Sequence, residues 1–309
     1  MIFSFINYKK VKQGIIGFMN FKLSLKKSLD SSIVILKLII PIYIIADILY
    51  FYNTLSYISF LIEPFTSLIG LPTQTSLAII SGMFLNLYAA VAFAAPLDLS
   101  VHQWSILAVF LGVCHSLVVE SVIMKKIGIS NIYSYTLRFF AGLFLAYLTS
   151  IMPSDWFEAT LNQGVFQKQT YDDIYSLLAG SLFSAINLSI KIIILITLLI
   201  FIMDFIKTRK FIQESKKNVS KGFSIVVGIF LGITYGAGIL IDEAKSGNIS
   251  KEDLFYIGTF LMICHAIIED TLLFVIFGAD FTMVVIIRTV FAIVISYILL
   301  KLYQRFYSR

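Results

Sequence analysis

Two cysteines, two of the three histidines and three acids gather the chemistry-bearing residues of this chain into two short stretches. Cys114-His115 and Cys264-His265 lie 150 residues apart, each inside a long apolar run. Glu120 follows the first pair, and Glu269 and Asp270 follow the second. Thiolate, imidazole and carboxylate together are ligands for a divalent transition metal. Ionisable groups inside a membrane segment are costly, and by default they point to function. On an unbroken helix His265 and Glu269 stand four residues apart, on one face. His115 and Glu120 stand five apart and diverge by about 140°, so they converge only if the helix breaks. A structural reading stays open beside the metal: cysteine packs as a small apolar residue, and a buried histidine can bond the acid of its own helix. Glu269 and Asp270 would repel if both ionised, so one should be protonated, paired or metal-bound, as a proton-coupled site requires.

Arg138 and Arg288 occupy matching places in the last apolar span of each half. They are candidates for counter-ions to the acids or anchors for an anionic substrate. Snorkelling to the interface is the competing reading, favoured for Arg138 and open for Arg288. Asn86 is a candidate for lining a polar cavity or joining helices. Lys37, Asp47, Lys191 and Asp204 fall near span ends and read as snorkelling or structural pairs. His102 reads as a loop residue without a role.

These residues need a membrane scaffold. Of 309 residues, 59% are hydrophobic and only 14% charged, far below the quarter typical of soluble domains. Apolar segments fall at about 33–52, 55–70, 76–97, 104–124, 132–151, 176–206, 222–241, 254–277 and 282–303. Several reach the roughly 20 residues that cross a bilayer as a helix. The expected fold is all-α: a polytopic integral membrane bundle of about 9–10 transmembrane or re-entrant helices. The expected organisation is an amphipathic basic segment 1–30, membrane repeat 1 at 31–151, a polar connector 152–175 and membrane repeat 2 at 176–309. The net charge of +6 comes from lysine and arginine blocks flanking apolar spans, which mark cytoplasmic edges rather than nucleic-acid contacts. A bacterial inner membrane with both termini cytoplasmic is the expected location, with no cleaved signal. Two cysteines in separate spans suggest no disulfide.

The halves repeat. At the 150-residue offset Gly128 matches Gly278 and Arg138 matches Arg288, and Gly82-Met83-Phe84-Leu85-Asn86 matches Gly228-Ile229-Phe230-Leu231-Gly232 with a four-residue shift. Such duplication marks transporters that bind solute at the repeat interface near the midplane. Charge at equivalent loops favours inverted repeats. Nine segments conflict with two cytoplasmic termini, so either 55–70 is re-entrant or a broken helix hides an extra turn.

The run Gly228-Ile229-Phe230-Leu231-Gly232 and the run Cys264-His265-Ala266-Ile267-Ile268-Glu269-Asp270-Thr271 resemble the Gate-domain, or nucleoside-recognition, family of bacterial membrane proteins. Val119 and Glu120 depart from the Glu269-Asp270 pattern in the first half. Related Gate domains form the membrane part of the ferrous-iron transporter B, and distantly similar folds carry nucleosides. The resemblance therefore implies transport or recognition of a small solute. No soluble-enzyme motif stands out, and no enzyme activity is expected. The leading expectation is a permease, with a divalent transition metal as cargo rather than as a resident cofactor. Ligation would fall to Cys114, His115, Cys264, His265, Glu269 and Asp270. Coupling would fall to Glu120, Glu269 and Asp270, and electrostatic support to Arg138 and Arg288. The alternatives are an ion-coupled carrier of nucleosides or another organic solute, and a non-transporting assembly or signalling protein. Expected partners are the lipid bilayer, the solute and, as an assembly, further copies of the chain.

Overall fold

The computed structural model describes residues 20–54, 56–160, 171–208 and 249–307, together with 225, 228, 229 and 241. The expected segment 222–241 and residues 1–19 of the basic segment lie outside this description, four isolated positions excepted. Among the described residues every long element is a helix, as expected of a polytopic all-α bundle. Among the described residues, five helices are long and apolar enough to cross a membrane, or six if one bent pair counts as a span.

Helix α1 (Phe21–Phe51) starts ten residues before the expected first repeat, capped by Asn20 accepting from the Leu23 amide. Its first two turns carry Lys22, Lys26 and Lys27, which a helix end outside the hydrocarbon tolerates. Helix α2 (Ser56–Leu68) and the turn leading into α3 (Ser76–Phe84) bend by 108°. The stretch 55–70 is therefore not a straight span of its own. Helix α4 (Leu87–Ala94) continues the segment 76–97 after a break at Leu85-Asn86. Then come α5 (Val101–Cys114), α6 (Leu117–Lys126) and α7 (Asn131–Ser150). The second half holds α8 (Ile174–Lys207), α9 (Lys251–Ile263), α10 (Ile267–Val275) and α11 (Phe281–Tyr307).

The two halves carry matching local devices. Gly128 and Gly278 both take φ near +100° (100° and 114°), ending α6 and α10 in a backbone form that favours glycine. Ser130 and Asp280 follow at equivalent positions and accept from the amides of Tyr133 and Met283, starting α7 and α11.

Equivalent helices run in opposite directions. Ser24, Ser28 and Asp47 of α1 meet Asp204, Thr197 and Ser181 of α8, so these two are antiparallel. Arg138 and Thr149 of α7 meet Val113 and His102 of α5, so those two are antiparallel. Tyr133 of α7 meets Phe255 and Thr259 of α9. Asp280, just before α11, and Arg288 of α11 meet Ser105 and Gly112 of α5, so α11 runs parallel to α5. This is the geometry of repeats related by an axis in the membrane plane.

His102 belongs to the first turn of α5 and is not a loop residue. Its Nε2 lies 2.8 Å from the Thr149 carbonyl at the end of α7, and its ring stacks on Phe157. The described part of the connector packs onto the start of α11, where the Glu158 amide donates to Asp280.

Candidate functional site

Both Cys-His helices are broken. Helix α5 ends at Cys114 and α6 begins at Leu117; α9 ends at Ile263 and α10 begins at Ile267. The breaks pass through Ser116 and Ala266, each at φ 45°. A non-glycine residue in that form costs about 1–2 kcal/mol, so the surroundings must hold it. They do so through a second helix. The Ser116 amide donates to the Gly82 carbonyl at 2.9 Å, and the Ala266 amide donates to Gly228 at 3.3 Å. Close approach explains the glycines: a Cβ at Gly82 would lie 2.6 Å from Leu111, and one at Gly228 would lie 2.4 Å from Leu261. Asn86 caps α4 by accepting from the Ala89 amide, so it starts a broken-helix segment rather than joining neighbouring helices.

A broken helix leaves carbonyls without amide partners. Arg138 and Arg288 supply donors for them. Arg138 donates to Val113 and His115 at 2.7 and 2.6 Å; Arg288 donates to Gly112 and His265 at 2.6 and 3.1 Å. Both side chains are 0% exposed, which overturns the snorkelling reading of Arg138. Gly112 gives Arg288 its room, since a Cβ there would stand 2.8 Å from the guanidinium carbon.

The acids close the cluster. Glu120 Oε2 lies 2.8 Å from Arg138 Nη2, an ion pair whose angles fall outside hydrogen-bonding geometry. Glu120 Oε1 lies 3.0 Å from His115 Nε2, and Oε2 lies 3.3 Å from His265 Nε2. One carboxylate from the first half thus touches a histidine of each half. Asp270 Oδ2 stands 3.7 Å from Arg288 Nη2. The histidine rings are 5.3 Å apart.

The imidazole tautomers follow from their partners. His115 Nδ1 is 2.8 Å from the Leu111 carbonyl, and His265 Nδ1 is 2.7 Å from Leu261. A carbonyl only accepts, so each Nδ1 carries a proton and each Nε2 faces inward. An Nε2 in contact with a carboxylate oxygen then needs either a shared proton or a cation. His115, His265 and Asp270 present ligand atoms all within 4.8 Å of one another. A backbone carbonyl on Nδ1 is the support that metal-binding histidines use.

Not every expected residue joins this group. Cys114 and Cys264 are buried, but their side chains turn toward the last helix of each half. Cys114 Cβ packs on Gly142, and Cys264 Sγ lies 3.8 Å from Thr289 Oγ1. Glu269 does not share a ligand face with His265. The break shifts the helical phase, so Asp270 turns inward and Glu269 is exposed, beside the Tyr88 hydroxyl. Among the described residues, Arg138 Nη1, Arg288 Nε and Nη1, and Asp270 Oδ2 are buried with no hydrogen-bond partner. Thr271 Oγ1 is likewise buried and unpaired. Sequence reasoning missed Leu111 and Leu261 as backbone acceptors; their places four residues before each histidine were the available signal.

No family model matches the chain, and no solved structure matches it. It is similar to the uncharacterized membrane protein YvoD of Bacillus subtilis, 28% identical over 272 residues, covering 84% of this chain and 87% of that protein. Apolar helices and a membrane relative of nearly equal extent agree that this is an integral membrane protein in contact with lipid.

Proposed function

We propose that the chain is a permease of the bacterial cytoplasmic membrane, with both termini cytoplasmic. It moves a small solute through the cluster of Glu120, Asp270, His115 and His265. The cargo class that fits the donors best is a divalent transition metal. The observation carrying this is the pair of inward-facing Nε2 atoms, each fixed by a backbone carbonyl, beside Asp270 within 4.8 Å. Arg138 and Arg288 formally balance Glu120 and Asp270, so a metal ion entering alone would meet an unfavourable field. Two protons leaving the imidazole–carboxylate contacts would offset a divalent charge, which makes metal-for-proton exchange the charge-balanced route.

A second reading rests on a separate observation. The unpaired donors of Arg138 and Arg288 and the unpaired Asp270 oxygen suit a polar organic solute that both donates and accepts. The resemblance to the nucleoside-recognition family points the same way, with Tyr88 at the edge of the cluster.

Flux into proteoliposomes, with divalent metals and nucleosides compared in parallel, decides between them. Metal uptake should fall at least about tenfold in the joint His115→Ala and His265→Ala variant, a loss of roughly 1.4 kcal/mol or more. Unchanged metal flux in that variant sinks the metal reading. Nucleoside uptake abolished by Asp270→Asn, with no metal flux at all, establishes the second.

A further inference from the structure

We propose that Asp47, between α1 and α8 and outside the His–Arg cluster, binds an exchangeable monovalent cation. The argument starts from the pseudo-two-fold relation of α1 and α8. Asp47 and Asp204 are 157 positions apart, as are Ser24 and Ser181. The contacts obey the same relation. Ser24 Oγ donates to Asp204 Oδ2 at 2.7 Å, and Ser181 Oγ donates to Asp47 Oδ2 at the other end of the pair.

The third member breaks the relation. At Asp204 the charge is met by Lys27, whose Nζ lies 2.9 Å from Oδ2 and 3.0 Å from Oδ1. The residue 157 positions after Lys27 is Ser184. A hydroxyl stands where the other end has an ammonium. Ser184 bonds the Tyr43 hydroxyl, and the Tyr171 hydroxyl bonds Asp47. Asp47 is only 9% exposed. Among the described residues no lysine, arginine or histidine pairs with it. A buried carboxylate ringed by hydroxyl oxygens and lacking its cation is a hard-oxygen site, suited to a proton or an alkali ion and not to a soft metal.

Among the described residues, the titratable groups facing Asp47 are phenols: Tyr43 and Tyr50 from α1, and Tyr171 just before α8. Helix α4 meets this end of α1 through its backbone, where the Tyr50 hydroxyl donates to the Phe93 carbonyl at 2.7 Å. The titratable side chain of α4, Tyr88, turns instead toward Glu269. Asp47 lies 11 residues beyond the middle of α1, about 16 Å along its axis. With α1 centred in a bilayer whose hydrocarbon core is about 30 Å thick, that depth is the edge of the hydrocarbon, within reach of ions from one side. The proposal stands whether or not the chain transports a solute.

The test is thermal unfolding of the purified full-length protein in detergent. Sodium is exchanged for choline at constant ionic strength across a pH series, for the wild type, Asp47→Asn and Ser184→Lys. In the wild type the unfolding temperature should rise by about 2 °C or more when the cation is supplied. Sodium at fixed pH does this if the occupant is sodium, and lowering the pH in choline does it if the occupant is a proton. Asp47→Asn should lose that response, and Ser184→Lys should lose it because the grafted ammonium takes the cation's place. A wild type that responds to neither, or variants that keep its response, overturns the proposal. If Ser184→Lys does not fold, labelling of wild-type Asp47 by a hydrophobic carbodiimide, read by mass spectrometry, replaces it. Labelling should fall about tenfold per pH unit for a proton, or drop on adding sodium. Labelling indifferent to both overturns the idea.

Discussion

At the residue scale, Arg138 does three jobs with one planar fork: it satisfies the carbonyls of Val113 and His115 and neutralises Glu120. Lysine offers a single point charge and cannot cover all three. Arg138→Ala should therefore destabilise the protein by about 3–5 kcal/mol, because it strands a buried carboxylate. Adding Glu120→Gln to that variant should recover a large part of the loss, since the stranded charge is then gone. Thermal unfolding of both variants in detergent checks this, and no recovery in the double variant would mean that Arg138 acts mainly on the carbonyls. The matched arginines and acids were legible in the sequence as a doubled feature. Their roles were less so. Cysteine looked like a ligand by type alone, yet Cys114 Cβ and Cys264 Sγ lie against the last helix of their own half. Residue type reports what a group can bind, while the helical phase decides which way it faces.

At the element scale, the two breaks at Ser116 and Ala266 decide that phase. Neither carries glycine or proline, the usual marks of a break. The left-handed residues are held instead by hydrogen bonds that their amides donate to the Gly82 and Gly228 carbonyls of other helices, a tertiary cause that local sequence cannot display. The glycines themselves were visible in the sequence as matched repeat positions. Ala266 makes no side-chain cap, so substitutions there lose no capping hydrogen bond. Ala266→Gly should be tolerated or slightly stabilising, because glycine adopts positive φ freely but loses more chain entropy on folding. Ala266→Val should cost more than about 1 kcal/mol, since a β-branched residue at φ 45° is strained. Equal unfolding temperatures for the two variants would show that the break relaxes when substituted. Because the break aims His265, the valine variant should also lose flux, in line with its strain.

At the scale of the whole molecule, one operation relates the described parts: reversal of α1 and α7 with respect to their equivalents α8 and α11. Charge at the loops already favoured this in the sequence, although the count of nine segments opposed it. The opposition fades because α2 and α3 form a bent pair and the segment 76–97 breaks at Asn86. Reversal also explains why a doubled sequence need not have doubled chemistry. Equivalent residues away from the centre, such as Lys27 and Ser184, lie at opposite ends of the α1–α8 pair, so each half can be tuned alone. The antiparallel pair α1 and α8 makes a direct topological prediction. With Cys114 and Cys264 replaced by alanine, single cysteines at Tyr52 and Tyr175, both strongly exposed, should react with an impermeant maleimide from the same side of intact cells. Cysteines at Asn20 and Thr208, at the other ends of these helices, should react only from the opposite side. If Asn20 and Tyr175 share a side, α1 and α8 run parallel and the inverted relation fails, taking the Asp47–Asp204 correspondence with it.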